Sequence, residues 1–336
     1  MNDSIKIVIP MAGYGSRMRP HTWSRPKPLL LLAGKTLLDH ALDQFNSLPG
    51  FSDAEFIFII SPNQGDQIQQ YIKAVYPKKD VHFVVQEQMQ GQSHALLLAE
   101  EFLHGPMVMA FCDTLIETDL DFLQKENADG VAWVKPMEDP RRFGVVELNK
   151  AGLATRMIEK PKDCTNNLVL VGFYFFKDAR ELISAIREQI KRNTALKGEY
   201  FLTDAINIML ERGMKLKVKQ TDVWLDSGIP SAVLETNRIL LDKGRAPKTV
   251  VPGDTVTIIQ PVSIAEGCKI KSSVIGPHVT IGKDCVIENV VLRNSLVEAG
   301  TTIHDMVIEG SLIGKNAVLN GRAEQFNIGD DTGFTR

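Results

Sequence analysis

A short segment near the N-terminus carries residue types that suit phosphate chemistry. The apolar run at 7–9 predicts a buried first strand, and the glycine-spaced turn AGYGSR at 12–17 comes directly after it. Glycines at a strand exit let backbone N–H groups approach a phosphate without a Cβ in the way. Arg17 and, ten residues further on, Lys27 add two positive charges. The segment therefore predicts a phosphate-binding loop.

Two better-known glycine motifs do not fit this segment. A dinucleotide fingerprint needs G-x-G-x-x-G, and Met18 stands at its third glycine position. The tripeptide GKT at 34–36 matches the end of a P-loop, but Leu29 stands where the first glycine of that motif would be. The loop therefore belongs to neither class of nucleotide site.

The composition predicts a folded protein of two domains. The chain has 336 residues, of which 44% are apolar and 24% charged, so it can bury a substantial core. A net charge of −3 without a long basic run argues against a nucleic-acid partner. Without a signal-peptide pattern or an apolar run of membrane-spanning length, we expect a cytoplasmic protein that does not bind membranes. The cysteines lack metal-site spacing and are predicted to be free thiols: Cys112, Cys164, Cys268 and Cys285.

The longer string around the glycine loop resembles a family signature. AGYGSR at 12–17 is followed by Pro20 and Thr22, and then by PKPLL at 26–30. This resembles A-G-x-G-T-R-x-x-P-x-T followed by P-K and an apolar run, the signature of the sugar-1-phosphate nucleotidylyltransferases, or nucleotide-sugar pyrophosphorylases. Ser16 stands where threonine is commoner and keeps the hydroxyl. The resemblance implies catalytic roles for Arg17 and Lys27 and nucleotide binding by Ala12, Gly13, Gly15 and Ser16.

Strand and helix patterns alternate over the first 125 residues. Buried strands are predicted at 55–61, 81–85 and 106–112, and helices at 37–48, around 68–75 and at 93–103. This alternation predicts an α/β fold, in which a Rossmann-like, mostly parallel sheet is wrapped by helices and ligands bind at the carboxyl ends of the strands. The resemblance implies a nucleotidyltransferase type A-like fold.

An aspartate follows the third of these strands. Asp113 comes directly after the run 106–112, where a carboxylate facing phosphates is a natural magnesium ligand. An aspartate that merely opens a turn has the same pattern. The resemblance implies that Asp113 is the first metal ligand, although Cys112 replaces the glycine that normally precedes this aspartate in the family.

Several glutamines precede the helix predicted at 93–103. A glutamine side chain offers a donor and an acceptor together, which suits the edge of a nucleobase. The resemblance implies that Gln86 and Gly91 read the base of UTP or dTTP. Gln92 and Ser93 depart from the family pattern. His94 is interpreted as a packing residue at the helix start rather than as an acid or base.

Shorter, alternating strand patterns between 130 and 176 indicate a sugar-binding extension. The blocks FGVV at 143–146, EKP at 159–161 and GEYFLTD at 198–204 match the family. From the residues alone, the EKP block is an exposed charged turn, and Thr203 or Asp204 is a helix cap. The resemblance implies a sugar-phosphate site formed by Gly144, Glu159, Lys160, Gly172 and Glu199.

A second aspartate lies in the block WLDSG at 224–228, which matches the family's W-x-D-x-G. The resemblance implies that Asp226 is the second ligand of Mg²⁺, the one cofactor expected, and that it lies beside Asp113. A helix is predicted at 230–244, with a glycine at its end.

The pattern changes completely from about residue 250. Aliphatic residues recur every five or six positions with glycines between them, which predicts a hexapeptide-type parallel β-helix. The resemblance implies a left-handed one. A coil end cannot bury itself, so capping by the tail or by another subunit is expected. The predicted organisation is a catalytic domain at 1–245, with a nucleotide part at 1–125 and a sugar part at 126–228, then a β-helix at 250–321 and a tail at 322–336.

The implied reaction converts an NTP and a sugar-1-phosphate into an NDP-sugar and pyrophosphate. UTP or dTTP with glucose-1-phosphate is favoured, and a mannose-1-phosphate guanylyltransferase is the alternative. Two other classes are considered: a non-catalytic regulatory relative that binds nucleotide sugar, and an added acyltransferase in the β-helix with His278 or His304 as its base. We expect a homo-oligomer formed through the β-helix or the catalytic domain.

Overall fold

A computed structural model describes residues 4–63, 65–247 and 255–322. The chain divides into two compact units, one of Met1–Leu30 with Thr36–Ala232 and one of Leu31–Lys35 with Val233–Arg336. The domain boundary predicted between 245 and 250 borders on residues 248–254, which lie outside the described ranges. The predicted tail at 322–336 lies outside them from residue 323 onward.

Six α-helices and twenty-three strands occur in the described ranges. The helices are α1 (Leu37–Asp43), α2 (Gly65–Val75), α3 (Gln92–Leu98), α4 (Ala179–Lys191), α5 (Leu202–Glu211) and α6 (Pro230–Asp242). The strands up to α6 are β1 (Lys6–Pro10), β2 (Leu31–Leu32), β3 (Lys35–Thr36), β4 (Glu55–Ile60), β5 (Asp80–Val85), β6 (Met107–Ala110), β7 (Thr114–Ile116), β8 (Gly130–Pro136), β9 (Gly144–Leu148), β10 (Ala154–Glu159), β11 (Leu168–Phe176), β12 (Leu216–Gln220) and β13 (Trp224–Asp226). The later strands are β14 (Val256–Ile258), β15 (Val262–Ile264), β16 (Lys269–Lys271), β17 (Ser273–Ile275), β18 (Val279–Ile281), β19 (Val286–Arg293), β20 (Leu296–Val297), β21 (Thr302–Glu309), β22 (Leu312–Ile313) and β23 (Val318–Asn320).

A nine-stranded sheet forms the centre of the first unit and confirms the predicted α/β fold. Its order is β10-β9-β11-β6-β1-β4-β5, with β8 pairing β11 and β12 pairing β8. The strands β6, β1, β4 and β5 are parallel neighbours, whereas β11 joins β6 in the antiparallel direction. Because helices cover both faces, β1 and β4 are apolar almost throughout, as a buried parallel sheet requires.

The core of the first unit lies on both faces of this sheet. Side chains from α3, α4 and α5 pack on one face, and those from α1 and α2 pack on the other. Phe173 of β11 connects the second layer, since its ring lies 5.5 Å from Phe45 and 4.9 Å from Trp133, centroid to centroid. The helix predicted at 93–103 ends earlier, at Leu98, and a 3-10 turn follows at Glu100–Phe102.

The second unit contains the predicted β-helix. Its strands stack in parallel, in the orders β14-β17-β19-β21-β23 and β15-β18-β20-β22, with β16 pairing β19. Residues 17 or 16 positions apart occupy equivalent places in successive coils, so one buried aliphatic column consists of Ile264, Ile281, Val297 and Ile313. This stacking of apolar residues is the reason for the repeat in the sequence.

Side chains also join the hairpin at Leu31–Lys35 and helix α6 to the β-helix within this unit. The Asn237 Oδ1 atom accepts hydrogen bonds from the Ala33 N–H at 2.9 Å and from the Thr280 hydroxyl at 2.7 Å. The Leu31 N–H donates to the buried carboxylate of Glu298 at 3.0 Å. No helix in the described part of the chain is long and apolar enough to cross a bilayer.

Helix α1 begins at a network centred on one carboxylate. The Thr36 hydroxyl accepts from the Asp39 N–H, and the Asp39 side chain accepts from the Thr36 N–H at 3.0 Å, which forms a capping box. The same carboxylate accepts from the hydroxyls of Tyr71 at 2.6 Å and Tyr76 at 2.7 Å. Burial and this carboxylate raise the pKa of both tyrosines, so both remain neutral donors.

We predict that Asp39→Ala destabilises the protein, because the N–H and hydroxyl of Thr36 and the hydroxyls of Tyr71 and Tyr76 lose their acceptor at once. The expected loss is about 2 kcal/mol, or about 5 °C in the melting temperature followed by circular dichroism. Gln70→Ala, on the exposed face of α2, serves as the control and should leave the melting temperature unchanged. A melting temperature for Asp39→Ala equal to that of the wild type would contradict a stabilising role of the network.

Candidate active site

A cleft of about 420 Å³ lies at the carboxyl ends of β1 and β6 in the first unit. The glycine loop, the segment after β5 and the turn after β6 form most of its wall. This is the edge at which a parallel α/β sheet binds its ligands. Ten of the residues predicted from the sequence line it: Ala12, Gly13, Gly15, Ser16, Arg17, Lys27, Gln86, Gly91, Asp113 and Glu199.

The glycine loop is held in a compact turn at the mouth of the cleft. Gly15 adopts a φ of +60°, and a Cβ there would lie 3.2 Å from the Thr22 Cγ2 and 3.3 Å from the Lys27 Cβ. The Thr22 hydroxyl donates to the Gly15 carbonyl at 2.8 Å, which closes the turn. A residue with a side chain would therefore displace both Thr22 and Lys27.

An ion pair joins Lys27, in the segment that follows the glycine loop, to the turn after β6. The Lys27 ammonium lies 2.6 Å from the Asp113 Oδ2, and the Lys27 side chain is only 9% exposed. An ammonium that is so deeply buried needs a carboxylate in contact, because removing one partner leaves an uncompensated charge. The two residues predicted as catalytic cation and metal ligand are therefore direct neighbours.

A short two-stranded sheet places the second aspartate beside the first. Strands β7 and β13 pair antiparallel, with Thr114 opposite Asp226, so Asp226 is next to the residue that follows Asp113. The Asp226 Oδ1 atom accepts from the Gly228 N–H at 2.8 Å. A Cβ on Gly228 would lie 2.9 Å from this oxygen and 3.4 Å from the Arg17 guanidinium, so Arg17 and Asp226 lie close together.

The chemistry of these two carboxylates fits Mg²⁺. This ion commonly takes one or two protein carboxylates and completes its octahedron with water and substrate phosphates. Within the described ranges, Glu55, Asp80 and His82 on β4 and β5 form the only group of three or more His, Cys, Asp or Glu side chains that lie close enough together to hold a metal ion. There the Lys6 ammonium lies 2.6 Å from Glu55, so a cation already neutralises that carboxylate.

The glutamine predicted to read a base lies in the cleft and is 4% exposed. Its Nε2 atom donates to the Gly91 carbonyl at 3.1 Å and contacts the His94 Nδ1 at 3.2 Å. The Gly91 carbonyl also accepts from the Ala95 N–H at 3.2 Å. Gln86, Gly91 and His94 therefore form one hydrogen-bonded unit at the start of α3.

The segment before α5 is fastened to this unit through the backbone. The Tyr200 N–H donates to the Gln90 carbonyl at 2.8 Å, and the Ser93 N–H donates to the Tyr200 carbonyl at 3.0 Å. Gly91 lies between these two bonds with a φ of +96°, and a Cβ there would lie 2.6 Å from both the N and the O of Tyr200. This bridge brings Glu199 into the cleft.

The predicted sugar residues form a second group beside the cleft. Gly144 and Glu159 are paired across β9 and β10, and a Cβ on Gly144 would lie 3.1 Å from the Glu159 carboxylate and from the Thr203 methyl group. Burial raises the pKa of Glu159, against the effect of the neighbouring Lys160 charge. The Thr203 hydroxyl faces Glu159 at 3.4 Å rather than capping α5, whose N-cap is Phe201.

The two remaining predicted residues, Lys160 and Gly172, each lie against an aromatic ring. The Lys160 ammonium lies 4.4 Å from the centroid of the Phe201 ring. Gly172 has a φ of +81°, and a Cβ there would lie 2.5 Å from the Phe111 ring, so its lack of a side chain makes room for that ring. Sequence reasoning missed some residues that line the cleft, and their only signal was proximity to the motifs: Tyr14, Met89, Gln92 and Phe111.

Comparison with known proteins identifies the family. The family model described as nucleotidyl transferase matches residues 6–243, which include the whole cleft and the sugar group. The chain belongs to the nucleotidyl transferase family. The predicted class of enzyme is thereby confirmed at the level of the family, and the central sheet and the site belong to the matched region.

Curated relatives of this chain fall into two size classes. It is 32% identical to the bifunctional protein GlmU of Methanococcus maripaludis, over 79% of this chain and 61% of that protein, so it spans about three fifths of that relative. It is 30% identical to the low-salt glycan biosynthesis nucleotidyltransferase Agl11 of Haloferax volcanii, over 96% of this chain and 95% of that protein. It is 29% identical to a glucose-1-phosphate thymidylyltransferase of Streptomyces antibioticus, over 97% and 98%.

Solved structures share the fold of this chain. A UDP-glucose pyrophosphorylase crystallised with UDP-glucose superposes with a TM-score of 0.60 at 22% identity, over 71% of this chain and 98% of that one. A Bacillus anthracis protein assigned as a glucose-1-phosphate thymidylyltransferase gives a TM-score of 0.61 at 22% identity, over 70% and 94%. The predicted α/β architecture is confirmed by these likenesses.

We predict that Gly91→Ala opens the bridge between the start of α3 and the segment before α5. The new Cβ would overlap the Tyr200 backbone. The φ of Gly91, +96°, is also an angle that residues with a side chain rarely adopt. Amide exchange in peptides that cover 90–93 and 199–202, measured by mass spectrometry, should become at least about tenfold faster.

The matched control for this variant is Gly213→Ala. Gly213 has a similar φ of +90°, but nothing lies within 4 Å of a Cβ there. It therefore introduces comparable backbone strain without the collision. Unchanged exchange at 90–93 and 199–202 in Gly91→Ala, or equal acceleration in the control, would contradict the role assigned to the bridge.

Proposed function

We propose that this chain transfers a nucleotidyl group from an NTP to a sugar-1-phosphate. A phosphate oxygen of the sugar-1-phosphate attacks the α-phosphorus, the bond from that phosphorus to the bridging oxygen breaks, and pyrophosphate leaves. The observation that carries the proposal is that Arg17 of the glycine loop, Lys27 and Asp113 line the same cleft, with Asp226 paired to the residue that follows Asp113.

The chain's residues act in this reaction by alignment and charge. The attacking oxygen is already an anion, so no general base is required, and catalysis consists of positioning and electrostatic stabilisation. Backbone N–H groups of the glycine loop hold phosphates, while Arg17 and Lys27 neutralise their charge. The buried Glu159 hydrogen-bonds sugar hydroxyls, its neighbour Gly144 lines the sugar pocket, and Lys160 meets the sugar phosphate.

Asp113 and Asp226 would hold Mg²⁺ on the other side of the phosphates. When bound, the ion supplies positive charge to the phosphate oxygens of the leaving and transferred groups. The two aspartates project from the ends of paired segments, so the strands rather than a flexible loop set their separation. Because Asp113 contacts the Lys27 ammonium, the carboxylate that would hold the ion and the cation that would meet the phosphates lie side by side.

The hydrogen bonds around Gln86 limit the bases that the cleft accepts. The Gly91 carbonyl is used by two donors, whereas the Gly91 N–H donates to no residue of the described chain. No described residue donates to the Gln86 Oε1 atom either. An acceptor beside a donor is complementary to the N–H and C=O of a lactam edge, which uracil, thymine and guanine present.

UTP or dTTP with glucose-1-phosphate is the proposed pair of substrates. The likeness to a glucose-1-phosphate thymidylyltransferase over nearly the full chain supports this choice.

The competing classes have less support. A regulatory relative without activity would not need the charged residues, yet Arg17, Lys27 and Asp113 all line the cleft.

For an acyltransferase, His278 would need a nitrogen that can take a proton from a substrate. Its Nε2 lies 2.8 Å from the Asp242 carboxylate and its Nδ1 3.2 Å from the Asn294 Oδ1, so both nitrogens have structural partners.

The deciding experiment measures pyrophosphate release with Mg²⁺ from four NTPs combined with glucose-, mannose- and N-acetylglucosamine-1-phosphate. Release with UTP or dTTP and glucose-1-phosphate, abolished by a chelator and restored by Mg²⁺, is the expected result. Release with GTP and mannose-1-phosphate would support the guanylyltransferase instead. Silence in every combination, from protein that still binds a nucleotide sugar, would support the regulatory class.

We predict that Lys27→Ala and Asp226→Asn each lower kcat by at least about 100-fold, because each removes charge from the site of phosphoryl transfer. Both variants should remain folded; the melting temperature of Asp226→Asn should stay close to that of the wild type, whereas Lys27→Ala should lower it, because Asp113 loses its ammonium partner. Lys73→Ala removes an exposed lysine from α2 and is the control for loss of a positive charge. Near-normal turnover in either cleft variant would contradict the assignment.

A further inference from the structure

We infer that His94 is a positioning residue that fixes the amide of Gln86 and so sets which nucleobases this site accepts. The inference rests on the proposed function and adds to it a residue that touches neither the phosphates nor the sugar. His94 is the third residue of α3, does not line the cleft, and contacts the Gln86 Nε2 atom. Its role follows from counting donors and acceptors.

The Gln86 amide has only one orientation that satisfies its neighbours. The Gly91 carbonyl oxygen can only accept a hydrogen bond, so the amide atom 3.1 Å from it must be Nε2. The second hydrogen of the same nitrogen is directed to the His94 Nδ1 at 3.2 Å. With both hydrogens used inside the protein, Gln86 offers a ligand its Oε1 acceptor alone.

The same contact fixes the state of His94. A nitrogen that accepts from Gln86 carries no proton, so the ring is neutral and its proton is on Nε2. Burial lowers the pKa of His94, which favours this neutral form, while the nearby Gln88 carbonyl acts in the opposite direction. A ring protonated on Nδ1 would direct a hydrogen at the Gln86 amide hydrogens instead of accepting one.

Loss of the His94 acceptor would release one amide hydrogen of Gln86. The amide could then rotate about its bond and offer that N–H to a ligand acceptor. Cytosine carries an acceptor at the ring position where uracil carries N–H, so a released amide suits it better than a fixed one. His94 therefore favours lactam bases and disfavours cytosine, in addition to holding Gln86 in place.

The test compares kcat/KM for UTP and CTP in the full chain with its sugar-1-phosphate. In His94→Leu, the ratio of kcat/KM for UTP to that for CTP should fall about tenfold, through the KM for the nucleotide. The kcat at saturation and the KM for the sugar-1-phosphate should change less than about twofold. His94→Asn, whose Oδ1 lies near the place of Nδ1, should restore most of the ratio.

Two controls separate positioning from a structural role. Leu98→Ala removes an exposed side chain from the same helix and should leave the ratio unchanged. If His94→Leu does not fold, His94→Phe keeps the bulk of the ring without its nitrogens and makes the same comparison. An unchanged ratio in a folded His94→Leu or His94→Phe variant would overturn the inference, and so would a folded His94→Asn variant that behaves like His94→Leu.

Failure of the proposed reaction is distinguishable from failure of this inference. If the wild type releases no pyrophosphate from any NTP, calorimetric titration of wild type and variants with UDP and with CDP replaces the kinetic comparison. The ratio of the two affinities should then fall about tenfold in His94→Leu. Equal ratios in wild type and His94→Leu would overturn the role of His94 whatever the reaction is.

Discussion

The pairing of the Lys27 ammonium with the Asp113 carboxylate is the interaction on which this site depends. Lys27 is almost entirely buried, so the energetic requirement for an opposite charge fixes the glycine loop against the turn after β6. That turn leads into β7, whose pairing with β13 places Asp226. One electrostatic constraint therefore organises three chain segments.

Much of this architecture could be predicted because its signals are local. The glycine loop directly follows an apolar strand. The aliphatic repeat of the β-helix marks the residues that pack in its interior. Helix ends were less predictable: the segment predicted as one helix at 93–103 breaks at Leu98, since tertiary contacts rather than periodicity determine where a short helix stops. The pairing of β7 with β13 joins distant segments, and only family resemblance anticipated it.

Contacts made by the backbone were beyond prediction for a physical reason. The Tyr200 N–H and C=O hold the start of α3, and the identity of that side chain carries no information about such bonds. Only the glycine opposite shows the constraint, because no other residue fits between the two bonds. Gly172 illustrates the reverse case. Its missing side chain makes room for the Phe111 ring, which the sequence did not indicate, while its place in the sugar site stays a prediction.

If the proposed function is right, the unit formed by Gln86, Gly91 and His94 would make the site selective through groups that do not touch the ligand. A free glutamine side chain can donate and accept, and it would tolerate any base edge. The Gly91 carbonyl and His94 consume its two hydrogens, and the Ala95 N–H consumes the second acceptor position of Gly91. What remains is one acceptor and one donor in fixed places. The site would then discriminate between bases, because a base whose edge does not match this acceptor and donor leaves a buried polar group unpaired.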